Sequence, residues 1–488
     1  MKLPIEEVFL SDTSKSYQYH VWQKEGKIRK IYSKLFTQNM TDDINQIVRR
    51  NLWDIVKLLY PSAIIADRTA LELKPAEDGS IFVISDKKRP ASIGNITIKP
   101  RKGTAPLDND KLFMGNLYLP STERALLENL RGYRSGSNEI SRCLKDAEIE
   151  EYLDKTLSRY GDDALNNLRD NARKISAKLE LSEEFNKLNK MISALLQTRQ
   201  VPLESNVGNL RQSGLGYDSN RVTLFHKLAQ AIESYAPNIR YCREQKLDNL
   251  YFYESYFSNY IEGTKFEVSE AKEIIFSGKV PENRPADAHD ILGTFKVVSN
   301  DNLMKQRYHN FDEFLDILKR RHALLMSGRP DKNPGTFKSL QNQAGSTLFV
   351  TPRNVIGTLN QGFDIYKNID TAFGRAVFMM FMISEVHPFD DGNGRTGRVM
   401  MNAELAANDE YRIIIPNVYR NNYISSLRAM TNDGYAEALL KTLNFAQKYT
   451  QMVGWRDFDE ATAMLQNTHA FMDANEADEN GIRLELPR

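Results

Sequence analysis

His387-Pro-Phe-Asp-Asp-Gly-Asn-Gly-Arg-Thr-Gly-Arg398 separates two apolar runs, Phe373 to Val386 before it and Val399-Met-Met-Asn-Ala-Glu-Leu-Ala-Ala after it. Both runs read as helices destined for a core. A glycine-rich loop between two such helices is a rigid mount for an anion. The unpaired N–H groups of the second helix and its dipole point at one place. Gly392, Asn393 and Gly394 are the candidates for the φ > 0 conformations of an anion-binding nest, asparagine being the non-glycine residue that best tolerates that region.

The charges around the loop extend this reading. Arg395 and Arg398 stand three apart on the following helix, so both side chains fall on one face and are placed to clamp successive phosphates. Asp391 supplies the hard oxygen that Mg²⁺ takes when it bridges nucleotide phosphates. His387 is the group able to accept a proton near neutral pH from an attacking hydroxyl. Phe389 is expected to face inward and anchor the loop. Together these parts describe a site for phosphoryl or nucleotidyl transfer, where positioning and charge neutralisation dominate.

Outward from this segment, the chain is 488 residues long, which predicts at least two domains. Lys+Arg 65 against Asp+Glu 64 leaves a formal charge of +1, so no global field draws the chain to nucleic acid or a membrane surface. Cys143 and Cys242 alone cannot make a disulfide framework or a cysteine zinc site, and they fit a reducing compartment. The opening MKLPIEEVFLSDTSKS lacks the apolar core of a secretory signal. The longest apolar run, Ala376 to Ile383, is far short of a membrane span, so the expectation is a cytoplasmic protein with no membrane partner.

Four segments are predicted. Residues 1–200 form an N-terminal α/β (or α+β) domain with short β-branched runs, a helix over Ile44 to Leu59, and an amphipathic helical end from about Arg142 to Leu196. Residues 201–221, rich in Gly, Ser and Asn, read as a linker. Residues 222–450 form an all-helical core, and 451–488 one further helix and a polar tail. Gly345 to Pro352 is placed to hold a short β-hairpin. The aromatic run Tyr251 to Phe257 and the Met379-Met-Phe-Met run read as core. The six other histidines, His322 among them, show no metal-ligand spacing and read as surface or satisfied core residues.

The loop matches the signature of Fic proteins, H-x-F-x-[D/E]-G-N-G-R-x-x-R, at every specified position, so the chain resembles a Fic (Fido superfamily) protein adenylyltransferase. The resemblance implies a multidomain architecture with an all-α Fic core and a β-hairpin flap. It implies transfer of AMP from ATP, with Mg²⁺, onto a Ser, Thr or Tyr hydroxyl of a target protein. His387 would be the base, Asp391 the metal ligand, and Gly392, Asn393, Gly394, Arg395 and Arg398 the phosphate site. The intact Gly-Asn-Gly-Arg run departs from the kinase-like Doc branch.

Ser258-Asn-Tyr-Ile-Glu-Gly263 resembles the family's inhibitory motif [S/T]-x-x-x-E-[G/N], placed upstream of the core. By that resemblance Glu262 pairs with Arg398 and blocks seating of the γ-phosphate, with Ser258 and Gly263 completing the motif. Pro334-Gly-Thr-Phe-Lys-Ser-Leu340, then Gly345 to Pro352, occupies the place of the family's flap, which around 345–352 would hold a target segment as an added strand, and Tyr423 is placed near the nucleotide by analogy. Self-modification and a homo-oligomer are further expectations. So is a Fic enzyme that uses another nucleotide or removes AMP.

A second resemblance covers about 190 residues and is less sharp. Ser14 to Phe36 looks like the last helix and wing of a winged-helix module, and Tyr60 to Ser85 is similar to an AbiEi-type antitoxin domain. It implies that Lys24, Lys27, Arg29 and Lys30 contact phosphate backbone. The competing functional class is therefore a DNA-binding or antitoxin-like regulator whose Fic module mainly modifies itself.

Overall fold

The structure, a computed structural model, describes residues 5–12, 14, 16–132, 140–244, 247–345 and 347–487. The chain divides into two compact units, Met1–Gln212 and Ser213–Arg488.

In the first unit, strands Val8–Leu10, Leu35–Thr37 and Arg29–Tyr32 make an antiparallel sheet with Leu35–Thr37 in the middle. Helix Ser16–Lys24 packs Trp22 with Phe9, Ile28 and Phe36. Helix and hairpin thus occupy the segment expected to hold a helix and wing, Lys15 excepted, which lies outside the described residues. A six-stranded mixed sheet follows, with Ser80–Ile84 inside it, parallel to Ile96–Arg101 and antiparallel to Ile64–Ile65. Both faces of Ser80–Ile84 are buried, which is why its sequence runs apolar without alternation. The helix expected over Ile44 to Leu59 is two helices, Ile44–Arg50 and Leu52–Leu59. Asn51 breaks it, its side-chain amide donating to the Ile47 carbonyl and the Glu7 carboxylate. Helices Asp146–Tyr160, Asp162–Ser176 and Ser182–Leu195 close an apolar cluster built from Leu153, Leu157, Leu165, Leu188 and Ile192.

Residues 201–221 are less irregular than their composition suggests. Asn206–Gln212 is a helix, Ser205 Oγ accepts the Gly208 N–H, and Arg211 pairs with the buried Asp154. A Cβ on Gly208 would lie 2.7 Å from Leu203 and Ser205, so this glycine serves close approach rather than a loose chain.

The second unit is helical around Ala372–Val386 and Asn393–Ala406. Helix Ala372–Val386 is buried nearly all round, Met379 to Ile383 being fully inaccessible, as expected of a central core helix. Around the pair stand helices Ser219–Glu233, Asp248–Ile261, Pro285–Val298, Phe311–Leu325, Val355–Tyr366, Arg420–Asp433 and Ala436–Met452. Gly293 lets Pro285–Val298 approach Phe311–Leu325 so closely that a Cβ there would stand 1.9 Å from the Leu325 carbonyl oxygen. The aromatic run is core: Phe252 and Tyr253 are fully buried and pack with Phe458 and Trp455.

The C-terminal stretch carries two helices rather than one, Phe458–Asn467 and Ala474–Asn480, and Leu465, Ala470, Ala477 and Leu484 enter the same cluster as Phe252. Asp473 organises that end by capping Asn475 N and accepting from Tyr260 and Lys265. The hairpin forms slightly earlier than expected, pairing Gln343–Ala344 with Thr347–Leu348; Ser346 lies outside the described residues. Among the described residues no helix is long and apolar enough to cross a membrane.

Candidate active site

Helix Ala372–Val386 ends where His387 turns into the left-handed region, φ 50. That conformation is rare for a residue with a Cβ and is held by the surroundings. The His387 N–H closes on the Ile383 carbonyl at 2.9 Å, Nδ1 lies 3.2 Å from the Ser384 carbonyl, and the Phe349 ring stacks on the imidazole at 3.7 Å and 6°. Since a carbonyl only accepts, Nδ1 carries the proton and Nε2 keeps its lone pair. Burial holds the His387 pKa down at about 4, against the partial support of the Ser384 carbonyl, so the ring is neutral at pH 7 with its lone pair unprotonated.

Of the three residues expected to take φ > 0, only Gly392 does, at 72; Asn393 and Gly394 open the helix Asn393–Ala406. Asn393 has another task. Its Oδ1 accepts from Phe389 N and its Nδ2 donates to Phe389 O, both at 2.8 Å, tying the loop to the first helical turn. Gly394 is needed for space, since a Cβ would fall 2.3 Å from Glu262 Oε1.

Phe389 faces inward, fully buried, and stacks on His322 at 3.6 Å and 2°. His322 holds the loop from below. Its Nδ1 accepts the Gly335 N–H at 2.9 Å, so Nε2 bears the hydrogen that reaches the Asp391 carbonyl at 3.1 Å. Burial pulls its pKa to about 4, which keeps this tautomer in place. Sequence reasoning had classed His322 only as a surface or core residue, because nothing near it in the chain links it to the loop.

The two arginines are buried and occupied by carboxylates. Arg398 donates from Nε to Ser258 Oγ at 3.0 Å, and from Nη2 to the Ser258 carbonyl at 2.9 Å and to Glu262 Oε1 at 2.6 Å. Burial works to raise the Glu262 pKa, but the charge and hydrogen bond of Arg398 outweigh it and the carboxylate is held below its usual value. Gly263, φ 100, turns the chain away after helix Asp248–Ile261 and leaves Glu262 at its C-cap. Arg395 Nη1 lies 2.9 Å from Asp290 Oδ2, while its Nε has no hydrogen-bond partner among the described residues. A buried guanidinium with an unused donor beside a helix N-terminus suits an incoming phosphate oxygen. Tyr423 is buried, its hydroxyl on Met380 Sδ at 3.3 Å.

Asp391 keeps a 40% exposed side chain whose Oδ1 accepts from Gly392 N at 2.6 Å and lies 3.8 Å from Arg395 Nη2. Among the described residues no three His, Cys, Asp or Glu side chains gather as a metal cage. A lone, accessible carboxylate beside a phosphate cradle fits a cation whose other ligands are phosphate oxygens and water.

The hairpin segment is tied to the loop at its base. Lys338 N donates to the Pro388 carbonyl at 2.9 Å, Phe337 bridges Phe389, and Asn342 Nδ2 donates to the Phe389 carbonyl at 3.0 Å. Lys338, 4% exposed, donates from Nζ to Asn342 Oδ1 at 2.6 Å; burial, reinforced by Arg221, brings its pKa to about 7. Lys338 and Phe349 lie in the stretches expected to form the flap, though no role is read for either from the sequence, and nothing in the sequence marks Asp290. Asp290 reaches the loop from helix Pro285–Val298, a distant stretch with no motif of its own.

A left-handed histidine, a glycine-opened helix and two buried arginines thus meet at one loop. Residues 311–405 match the Fic/DOC family, and the chain carries a Fic domain. Among curated proteins it is 25% identical over 184 residues to protein adenylyltransferase fic-1 of Caenorhabditis briggsae, covering 36% of each chain. It is 26% identical over 190 residues to protein adenylyltransferase Fic of Aedes aegypti, covering 38% of each. The chain spans less than half the length of these curated relatives. Among solved structures, Fic-1 from C. elegans aligns with 66% of this chain and 94% of its own at 19% identity and a TM-score of 0.35. A Fic domain containing signaling protein from Bacteroides thetaiotaomicron aligns with 49% of this chain and 99% of its own at 16% identity, also with a TM-score of 0.35.

Proposed function

We propose that this protein is an adenylyltransferase that moves AMP from ATP to a Ser, Thr or Tyr hydroxyl of a target protein, and that Glu262 restrains it. The reading rests on one observation above others: the neutral His387, whose Nε2 makes no hydrogen bond among the described residues, stands one loop before the helix that carries Arg398, whose guanidinium is taken up by Glu262. The acceptor oxygen bonds to the α-phosphorus, the bond from that phosphorus to the pyrophosphate oxygen breaks, and the hydroxyl proton passes to His387 Nε2. Arg395 and Arg398 take the charge of the departing phosphates once Glu262 yields. Mg²⁺, when bound, neutralises phosphate charge, and Asp391 is the residue to hold it. The exposed strands Gln343–Ala344 and Thr347–Leu348 offer an edge on which a target segment adds as a strand.

The test is transfer from α-labelled ATP with Mg²⁺, comparing the wild type, Glu262→Gly and Glu262→Gly/His387→Ala, with cell lysate as acceptor. Label on the protein itself or on a lysate band should appear with Glu262→Gly and vanish with the added His387→Ala. No label in any variant would remove this reading.

A second reading is favoured by the helix Ser16–Lys24 followed by the hairpin Arg29–Tyr32 and Leu35–Thr37, the order of a recognition helix and wing. Lys24, Lys27 and Lys30 are all exposed there, Lys27 in a surface pair with Glu25, whereas Arg29 is partly buried and donates to the Asp42 carbonyl. In this reading the first unit binds DNA and the Fic module modifies its own chain. A mobility shift with steep salt dependence supports it, and no shift at low salt dismisses it.

A further inference from the structure

The C-terminal part of helix Asn393–Ala406, remote from the loop, borders a cavity of about 230 Å³. Arg307, Arg321 and Arg375 line it with Tyr308, Tyr366 and Glu404. Glu404 is the only carboxylate in the lining, and it is already engaged: its Oε1 accepts from Tyr308 and from Tyr366, and its Oε2 lies 3.4 Å from Arg375 Nε. Three guanidinium groups therefore line the cavity with one carboxylate; Arg375 also donates to the Ile369 and Asp370 carbonyls and to Asn408, and Asp409 and Glu410 act on Arg307 and Arg375 from outside the lining.

Arg321 is the most constrained of the three. It is 1% exposed, and among the described residues it makes no ion pair. Its Nη2 donates to the carbonyls of Leu303, Met304 and Gln306 at 2.7, 3.1 and 3.3 Å, Nη1 meets only Met400 Sδ, and Nε has no partner. Beyond the charge of nearby Glu404, its own hydrogen bonds go only to carbonyls and a thioether; such burial is costly to a cation, and a second anion beside it lessens the cost. Arg307 is held only at one end, to the Ala407 carbonyl, on the exposed rim.

We propose that this cavity is a second anion site, separate from the catalytic cradle, that takes a small phosphate-type oxyanion between Arg321, Arg307 and Arg375. The planar guanidinium fork matches two oxygens of such a group better than any other side chain. The volume, below the roughly 300 Å³ at which drug-sized pockets begin, limits the ligand to a compact species such as free phosphate or a small phosphomonoester. The site lies on elements that also build the loop. Arg321 precedes His322, which holds the Asp391 carbonyl, and Glu404 shares a helix with Arg395 and Arg398.

The test is calorimetric titration of the full chain with inorganic phosphate at constant ionic strength, in an Arg395→Ala/Arg398→Ala background that removes the cations of the catalytic cradle. One phosphate per chain should still bind. Adding Arg307→Ala, a rim substitution that leaves the core intact, should weaken it about tenfold or more, and Arg321→Met should do the same where the variant folds. Binding that disappears in the background variant, that is unmoved by Arg307→Ala, or that is absent at millimolar phosphate overturns the proposal. Because the readout is phosphate binding without catalysis, its failure is distinct from failure of the adenylyltransferase reading.

Discussion

Glu262 and Arg398, 136 residues apart in sequence, meet with Oε1 2.6 Å from Nη2, and the same guanidinium is held from the other side by both the hydroxyl and the carbonyl of Ser258. The glutamate side chain is 38% exposed and the arginine only 6%, so the pair is a buried cation capped by a carboxylate that solvent or a ligand can reach. While the carboxylate stays, Nη2 of that guanidinium is taken.

The first prediction concerns this contact. Glu262→Gln keeps the shape and loses the charge, and should raise incorporation of label from α-labelled ATP about tenfold, with Glu262→Gly raising it further. Ser258→Ala removes the Nε acceptor but keeps the carbonyl, so a smaller rise is expected. Equal activity in all four proteins would dissolve the link between the pair and restraint.

Catalysis through a neutral His387 fixes a pH profile. The active form exists above the folded pKa of about 4, so single-turnover transfer in the Glu262→Gly background should be flat from pH 7 to about 5 and fall below that. Phe349→Ala uncovers the imidazole, lets its pKa climb toward 6.5, and should move the acid limb upward by about one to two units. An unmoved limb would mean that Phe349 does not desolvate the base.

His322 predicts an acid-labile fold. Its pKa is about 4 when folded and 6.5 when unfolded, so between those values the unfolded chain binds a proton that the folded chain does not. Stability therefore falls as pH drops from 6.5 toward 4, by up to about 3 kcal/mol from this residue, and is unaffected by it above 6.5. His387 contributes in the same direction. Denaturant titrations at pH 7 and pH 5 should show the loss, and His322→Gln should be less stable at pH 7 yet lose less on acidification.

Gly293 tests the helix packing beneath the loop. A methyl there would collide with the Leu325 backbone at 1.9 Å, and backbone cannot rotate away as a side chain can. Gly293→Ala should cost about 2 kcal/mol or more, read as a lowered denaturation midpoint. Gly278→Ala, where no atom lies within 4 Å, would suffer only from its φ of 68 and should cost about 1 kcal/mol.

Much of this protein was legible in one dimension. The segment from His387 to Arg398 stood out because a histidine, small residues and two arginines follow one another within twelve residues, the local pattern a phosphate site would need. The two core helices around it were equally plain from their apolar faces, and Phe389 turned inward as its setting between them required. What tertiary structure alone decided is what reaches the loop from afar. His322 and Asp290 come from two distant helices with nothing in the sequence to tie them to the loop, and Lys338 and Phe349 come from the expected flap, where only the packing shows which side chains meet the loop. Asn393 could be mistaken for a residue chosen for its backbone, when its amide is a clamp on Phe389. Gly394 could be mistaken for a flexible joint, when it is the room that Glu262 occupies. Local sequence fixes which groups a turn can present, because those groups are bonded in order; which carboxylate, ring or ammonium stands against them depends on how helices pack, and that is written in the whole chain at once.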